Sequence, residues 1–172
     1  MKPGLLIIML AASLTILTNA GAQAFQNEPP AFRELAWGSS IDDAKAQGLT
    51  FLRDNGDFQD YLRKDDKLEY GDAQVESIVY SFYKDKLFRV LITYKDMHNY
   101  EELKSRLFFV YGPGQARADE YKTWWWFGRD VTIGLFYGIY ERGGTLSYIY
   151  VPIQREREKD HLKMAKEGAK EF

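Results

Sequence analysis

The sequence predicts an α+β protein dominated by antiparallel sheet, and three observations carry that reading. Apolar residues alternate at every second position over 78–94 and again over 131–140, the period of a half-buried strand. Between those runs the period lengthens, with Tyr100, Leu103, Leu107 and Val110 recurring at three- and four-residue steps as on an amphipathic helix. The connections are short and rich in Gly, Asn and Asp, which suits antiparallel neighbours rather than crossover units. Helices gathered on one face of such a sheet make the α+β class.

Each element has a local reason. Residues 25–31, with Glu28-Pro29-Pro30, read as a linker, and the folded chain starts near Phe32. Ser39 or Ser40 can cap a short first helix, with Asp42 and Asp43 in its first turn and Gly48 at its end. Asn55-Gly56 between Leu49–Asp54 and Asp57–Arg63 is a strong hairpin signal. Turns at Gly71-Asp72 and Lys84-Asp85-Lys86 bracket two further strands, through Ile78, Tyr80 and Phe82 and then Phe88, Val90, Ile92 and Tyr94. Asn99 is the expected cap of the second helix, which Gly112-Pro113-Gly114 terminates. Three strands are expected at Tyr121–Phe127, Val131–Tyr140 and Leu146–Ile153. The order α-β-β-β-β followed by α-β-β-β divides residues 32–153 into two similar units, 32–96 and 97–153. Residues 154–172 are strongly charged and carry a thin apolar stripe, as a helical or disordered tail would.

Composition narrows the function. The 172 residues carry a formal charge of −2, which argues against a general nucleic-acid binder. The absence of cysteine removes disulfide scaffolds, zinc ribbons, iron–sulfur clusters and thiol nucleophiles. Residues 1–24 have a positive start, an apolar run from Leu5 to Leu17 and an Ala22-Gln23-Ala24 cleavage pattern, the three parts of a secretory signal peptide. Its removal would leave a soluble exported protein with no integral membrane segment. The short signal and the missing cysteines suit a bacterial envelope protein, in the periplasm or secreted.

Two stretches resemble a known group. Trp37-Gly38-Ser39-Ser40-Ile41-Asp42-Asp43-Ala44 resembles the helix opening of small envelope proteins of the BamE/SmpA (OmlA) type, and Leu107 to Pro113 resembles a helix exit in the same group. A helix-plus-strands unit occurring twice is similar to the tandem architecture of β-lactamase inhibitory proteins. The chain departs from the BamE pattern by lacking the lipobox cysteine and by carrying Ala44 where a bulkier apolar residue is usual. The resemblance implies an α+β fold and protein–protein contact in the envelope.

No catalytic constellation is recognisable. His98 and His161 are the two histidines, and neither stands in a triad-like pattern. The carboxylate pairs Asp42/Asp43, Asp65/Asp66, Glu101/Glu102 and Asp119/Glu120 lie at helix starts or in charged turns. Asp54, Asp57 and Asp60 do not follow a calcium-loop spacing. No cofactor or metal site is indicated.

The feature that local structure explains least is Trp124-Trp125-Trp126-Phe127, which as a strand places aromatic rings on both faces. The next strand repeats the pattern, with Val131, Ile133, Leu135, Tyr137 and Ile139 on one face and Gly134, Phe136, Gly138 and Tyr140 on the other. Glycine inside a strand marks close approach of another group. The candidate binding face is therefore Trp124, Trp126, Gly134, Phe136, Gly138 and Tyr140, with strand register deciding which tryptophans join it. Three accounts fit that face: burial under the first sheet or the tail, a surface for an envelope protein, or a platform for a glycan such as peptidoglycan. The expected function is non-catalytic protein binding, with carbohydrate binding the alternative and hydrolysis a distant third.

Overall fold

The computed structural model describes residues 25–117 and 122–169. The expected signal peptide, Tyr121 of the expected strand, the Asp119/Glu120 pair and the last three residues of the tail lie outside the described residues. The fold is mixed α and β. A ribbon of β1 (Ala31–Phe32) and β2 (Leu35–Ala36) precedes α1 (Ile41–Ala46). Strands β3 (Leu49–Asp54) and β4 (Gln59–Arg63) form the hairpin expected around Asn55-Gly56. A second ribbon, β5 (Glu69–Tyr70) with β6 (Ala73–Gln74), leads to β7 (Ser77–Tyr83) and β8 (Lys86–Lys95). After α2 (Met97–Tyr111) come β9 (Gln115–Ala116), β10 (Thr123–Phe127), β11 (Val131–Gly138), β12 (Gly143–Tyr150) and α3 (Val151–Gly168).

Eight strands make one continuous antiparallel sheet in the order β3-β4-β7-β8-β12-β11-β10-β9. The last strand before α2 meets the last strand before α3 at the centre, where Ile92 stands opposite Leu146. One face carries the main core, in which Tyr80, Val90, Ile92, Leu146, Tyr148 and Ile133 pack with Ile41 and Ala44 of α1 and Tyr100, Leu103 and Leu107 of α2. Burying one such Leu contributes about 1.5–3 kcal/mol. The core tyrosines bring their hydroxyls inside with partners: Tyr94 donates to the Phe136 carbonyl at 2.6 Å, and the hydroxyls of Tyr70 and Tyr148 bond each other. Burial pushes the Tyr94 and Tyr148 phenols well above the ordinary tyrosine range.

The helix ends follow their capping chemistry, with one change. Ser40 caps α1, accepting from the Asp43 amide at 3.1 Å while Asp43 accepts from the Ser40 amide at 3.2 Å. In α2 the cap is Asp96, three residues before the expected Asn99, and it accepts from the Asn99 amide at 3.0 Å. Asn99 is instead buried in the first turn. It accepts from the Gln74 amide at 2.8 Å and donates to the Lys95 carbonyl at 3.1 Å, tying the helix to the β5–β6 ribbon.

Both ends of the described residues depart from expectation. The 25–31 segment is no free linker. Phe25 packs edge-on against Tyr111 at 5.3 Å, and the Glu28 carboxylate accepts from the amides of Arg129, Asp130 and Val131 in the β10–β11 turn. At the other end β12 stops at Tyr150, and residues 151–153 open α3 with Pro152 in its first turn. Ile153 joins Tyr83 and Phe88 on the opposite face of the sheet: Tyr83 follows Phe82 by alternation, whereas a bulge between Leu87 and Arg89 takes Phe88 off the face expected for it with Val90, Ile92 and Tyr94. The helices therefore do not all meet one face, because α3 turns beneath the sheet at the end of β12. Ion pairs hold it there, Arg157 with Asp57 and Lys84 with Glu156 and Asp160, and the His161 Nε2 lies 2.9 Å from the Asp57 carboxylate. Among the described residues no helix is long and apolar enough to cross a membrane.

Candidate functional site

The two faces of β10 are set by its pairing with β11. Trp124 stands opposite Leu135 and Trp126 opposite Ile133, whereas Trp125 stands opposite Gly134 and Thr123 opposite Phe136. Pleating therefore sends Trp124 and Trp126 to the main-core face with Ile133 and Leu135. Trp126 is 1% exposed, and its indole N–H donates to the Gly112 carbonyl at 2.9 Å. Trp124 packs edge-on against Phe108 at 4.9 Å and donates to the Tyr100 hydroxyl at 2.9 Å. This corrects the expected grouping, since neither ring shares a face with Gly134, Phe136 and Gly138. The turn between β10 and β11 decides the parity. Gly128 donates to Val131, and Glu28 holds the intervening amides.

The opposite face carries Trp125 and Phe127, which sequence reasoning left out of the candidate set. The number of residues between Phe127 and its partner Thr132 was the available signal, and it depends on a turn shaped by a carboxylate a hundred residues away. The Trp125 ring lies over Gly134: a Cβ added there would come within 2.7 Å of Cζ3. That is the close approach the in-strand glycine implied. Phe127 lies nearly parallel to Trp125, with centroids 6.0 Å apart and an angle of 11°. The Trp125 indole nitrogen is enclosed and has no hydrogen-bond partner.

Phe136 extends the patch at 46% exposure and Phe127 at 43%. Gly138 is buried, with the Glu141 side chain folded over it. Tyr140 lies beyond the end of β11 and is 97% exposed. Around the rings, the same face presents Thr132, Thr145 and Ser147, a half-buried hydroxyl surface. At the edge of β10 a cleft of about 260 Å³ opens between Phe25, Tyr111, Pro113, Gln115 and the rings of Trp125 and Phe127.

Several other groups with chemical potential are engaged structurally. Asp43 closes the α1 cap, Asp66 pairs with Arg33, and Glu101 meets Lys104 and Lys122. Asp60 is fully buried and accepts from Ser81 at 2.6 Å, Arg53 at 2.9 Å and Asn55 at 3.0 Å. His98 is exposed near the start of α2. Among the described residues no three His, Asp or Glu side chains converge as a metal ion would require. Comparison with protein-family models, curated proteins and solved structures gave no match, so the functional reading is built from this geometry.

Proposed function

We propose that this chain is a non-catalytic binding protein of the bacterial envelope, exported to the periplasm, that holds a protein partner on the face formed by Trp125, Phe127, Phe136 and Gly134. The observation that carries the reading is the run of half-exposed rings on a sheet face that no helix covers among the described residues. Tryptophan and other aromatic anchors dominate binding energy at protein interfaces, and apolar patches rimmed by polar groups mark such surfaces. The hydroxyls of Thr132, Thr145 and Ser147 supply that rim. The likeness of the α1 and α2 ends to BamE-type proteins points in the same direction.

A second reading, a platform for peptidoglycan or another glycan, is favoured by the near-parallel rings of Trp125 and Phe127. One experiment separates them. The full chain and its Trp125→Ala/Phe127→Ala variant are tested for retention on purified peptidoglycan and on immobilised envelope proteins. The protein reading expects retention by envelope proteins that the double substitution removes. Retention by peptidoglycan alone transfers the face to the second reading, and retention unchanged by the double substitution overturns both. Cell fractionation with mass measurement tests export, which predicts a periplasmic chain shortened by residues 1–24.

A further inference from the structure

A second concave site lies at the other half of the sheet, separated from the aromatic rings by β8 and β12. There the start of β3, the end of β4 and the start of β7 meet the 64–68 loop around a half-open cavity of about 390 Å³. Its apolar wall is Leu62, Leu68 and Ile78, and its cations are Arg63 and Lys64. The volume falls within the range of small-ligand pockets.

The charges around it are unevenly satisfied. Two carboxylates also border the cavity, but each is held by a cation that does not line it. Asp66 pairs with Arg33 and accepts from the Tyr80 hydroxyl at 2.7 Å, and Glu76 pairs with Lys95 at 2.6 Å. Arg63 has neutral company. It donates to the Gln47 side-chain oxygen at 3.3 Å and lies 5.7 Å from the centre of the Tyr80 ring. Its Nε is enclosed and makes no hydrogen bond. A partly buried guanidinium is stabilised most by a carboxylate, whose two oxygens match its planar fork. Lys64, exposed at the rim, adds a second positive charge.

We propose that this cavity binds an aliphatic carboxylate, with Arg63 holding the carboxylate and Leu62, Leu68 and Ile78 enclosing the apolar tail. The chemistry fits a short-chain acid and equally the C-terminal residue of a peptide ending in an aliphatic side chain. It is independent of the aromatic face, and Arg63 is a ligand-binding residue with no part in the protein-binding reading.

The test follows backbone amide resonances of the full chain while titrating sodium hexanoate, hexan-1-ol, inorganic phosphate, and a short peptide ending in leucine with a free or amidated C-terminus. Hexanoate should give saturable shifts at residues 62–64 and 77–78. Arg63→Gln should weaken binding by roughly tenfold or more, as loss of a charge-assisted contact does, and Arg63→Lys should recover part of it. If Arg63→Gln does not fold, the exposed Lys64→Gln and the weakening of hexanoate binding by added salt carry the test. Tighter binding of the free-acid peptide than of hexanoate assigns peptide termini as the source, and weaker binding assigns short-chain acids. The proposal is overturned if hexanoate gives no saturable shift, or if hexan-1-ol, phosphate or the amidated peptide binds as well as the carboxylates. It is overturned too if neither substitution nor salt weakens binding.

Discussion

Strand β10 presents the same residue type to two different environments, and the contrast between them is instructive. On the core side, the indole N–H groups of Trp124 and Trp126 both have acceptors, and both rings meet Phe108 edge-on. On the open side, Trp125 has no acceptor, leans over a glycine and lies beside a ring that is 43% exposed. A buried unbonded donor costs about 1–3 kcal/mol, so the open side gives up stability that the core side keeps. The same sheet face repeats the contrast along its width. Near Tyr83 and Phe88 it is covered by α3, whereas across β10 and β11 no helix covers it among the described residues, and Phe127 and Phe136 are exposed.

Substitutions on the two sides should therefore separate stability from binding. Trp126→Ala should be the most damaging, lowering unfolding free energy by about 3–5 kcal/mol in denaturant titrations. Loss of under about 1 kcal/mol would show that the core side is not the load carrier. Gly144→Ala should follow at about 1–3 kcal/mol, because its Cβ would collide with the Phe136 carbonyl of β11 and with the Tyr94 hydroxyl of β8, which are held together by a hydrogen bond. Trp125→Ala should abolish partner retention while costing less stability than Trp126→Ala, and equal losses would erase the distinction between the faces. Gly134→Ala should be milder again. The atoms nearest its Cβ belong to the outer edge of the Trp125 ring, so the ring swings outward, and tryptophan fluorescence should shift to the red with little change in unfolding midpoint.

The covered end of the face should open in acid. Burial raises the Asp57 pKa, but the Arg157 hydrogen bond and charge and the nearby His161 outweigh it and hold the carboxyl below its ordinary value. Asp160 is likewise lowered by bonds from Lys84 and Tyr83. A depressed carboxylate stabilises the folded state above its unfolded pKa, about 3.9, and that contribution disappears as pH falls through the lower folded value. Hydrogen exchange in α3 should accordingly accelerate below about pH 4 while β8 and β12 stay protected. Uniform loss of protection would mean that the helix and sheet open together.

The reasons for the successes and misses of sequence reasoning are physical. Hairpin chemistry at Asn55-Gly56 and the alternation through Val90, Ile92 and Tyr94 are local, and β3, β4 and β8 appear where those signals lie. The α1 cap is local too. Asn99 was misplaced because Asp96 precedes it with an equally good capping carboxylate, and because the Gln74 amide that occupies Asn99 comes from another element. The end of β12 was placed too late because Val151 and Ile153 suit a strand as well as the first turn of a helix. The candidate face was half legible. Pattern alone puts Gly134, Phe136 and Gly138 on one face of β11, while the choice between Trp125 and its neighbours rests on turn length. The cavity at Arg63 had no sequence signature, since it is made by three strands whose proximity only the fold determines.

The Glu28 carboxylate has a consequence for how the chain folds. It grips the amides of residues 129–131, a contact spanning a hundred positions, and Asn27 reaches the Val110 carbonyl across 83. Closing loops of that length costs entropy before the contacts reward it, and folding rates fall as contacts become more distant in sequence. The segment synthesised earliest among the described residues therefore has its anchoring site completed only after most of the domain exists. Glu28→Ala would leave the turn amides to find other partners, and the seam it closes would be among the last parts of the molecule to set and the first to loosen.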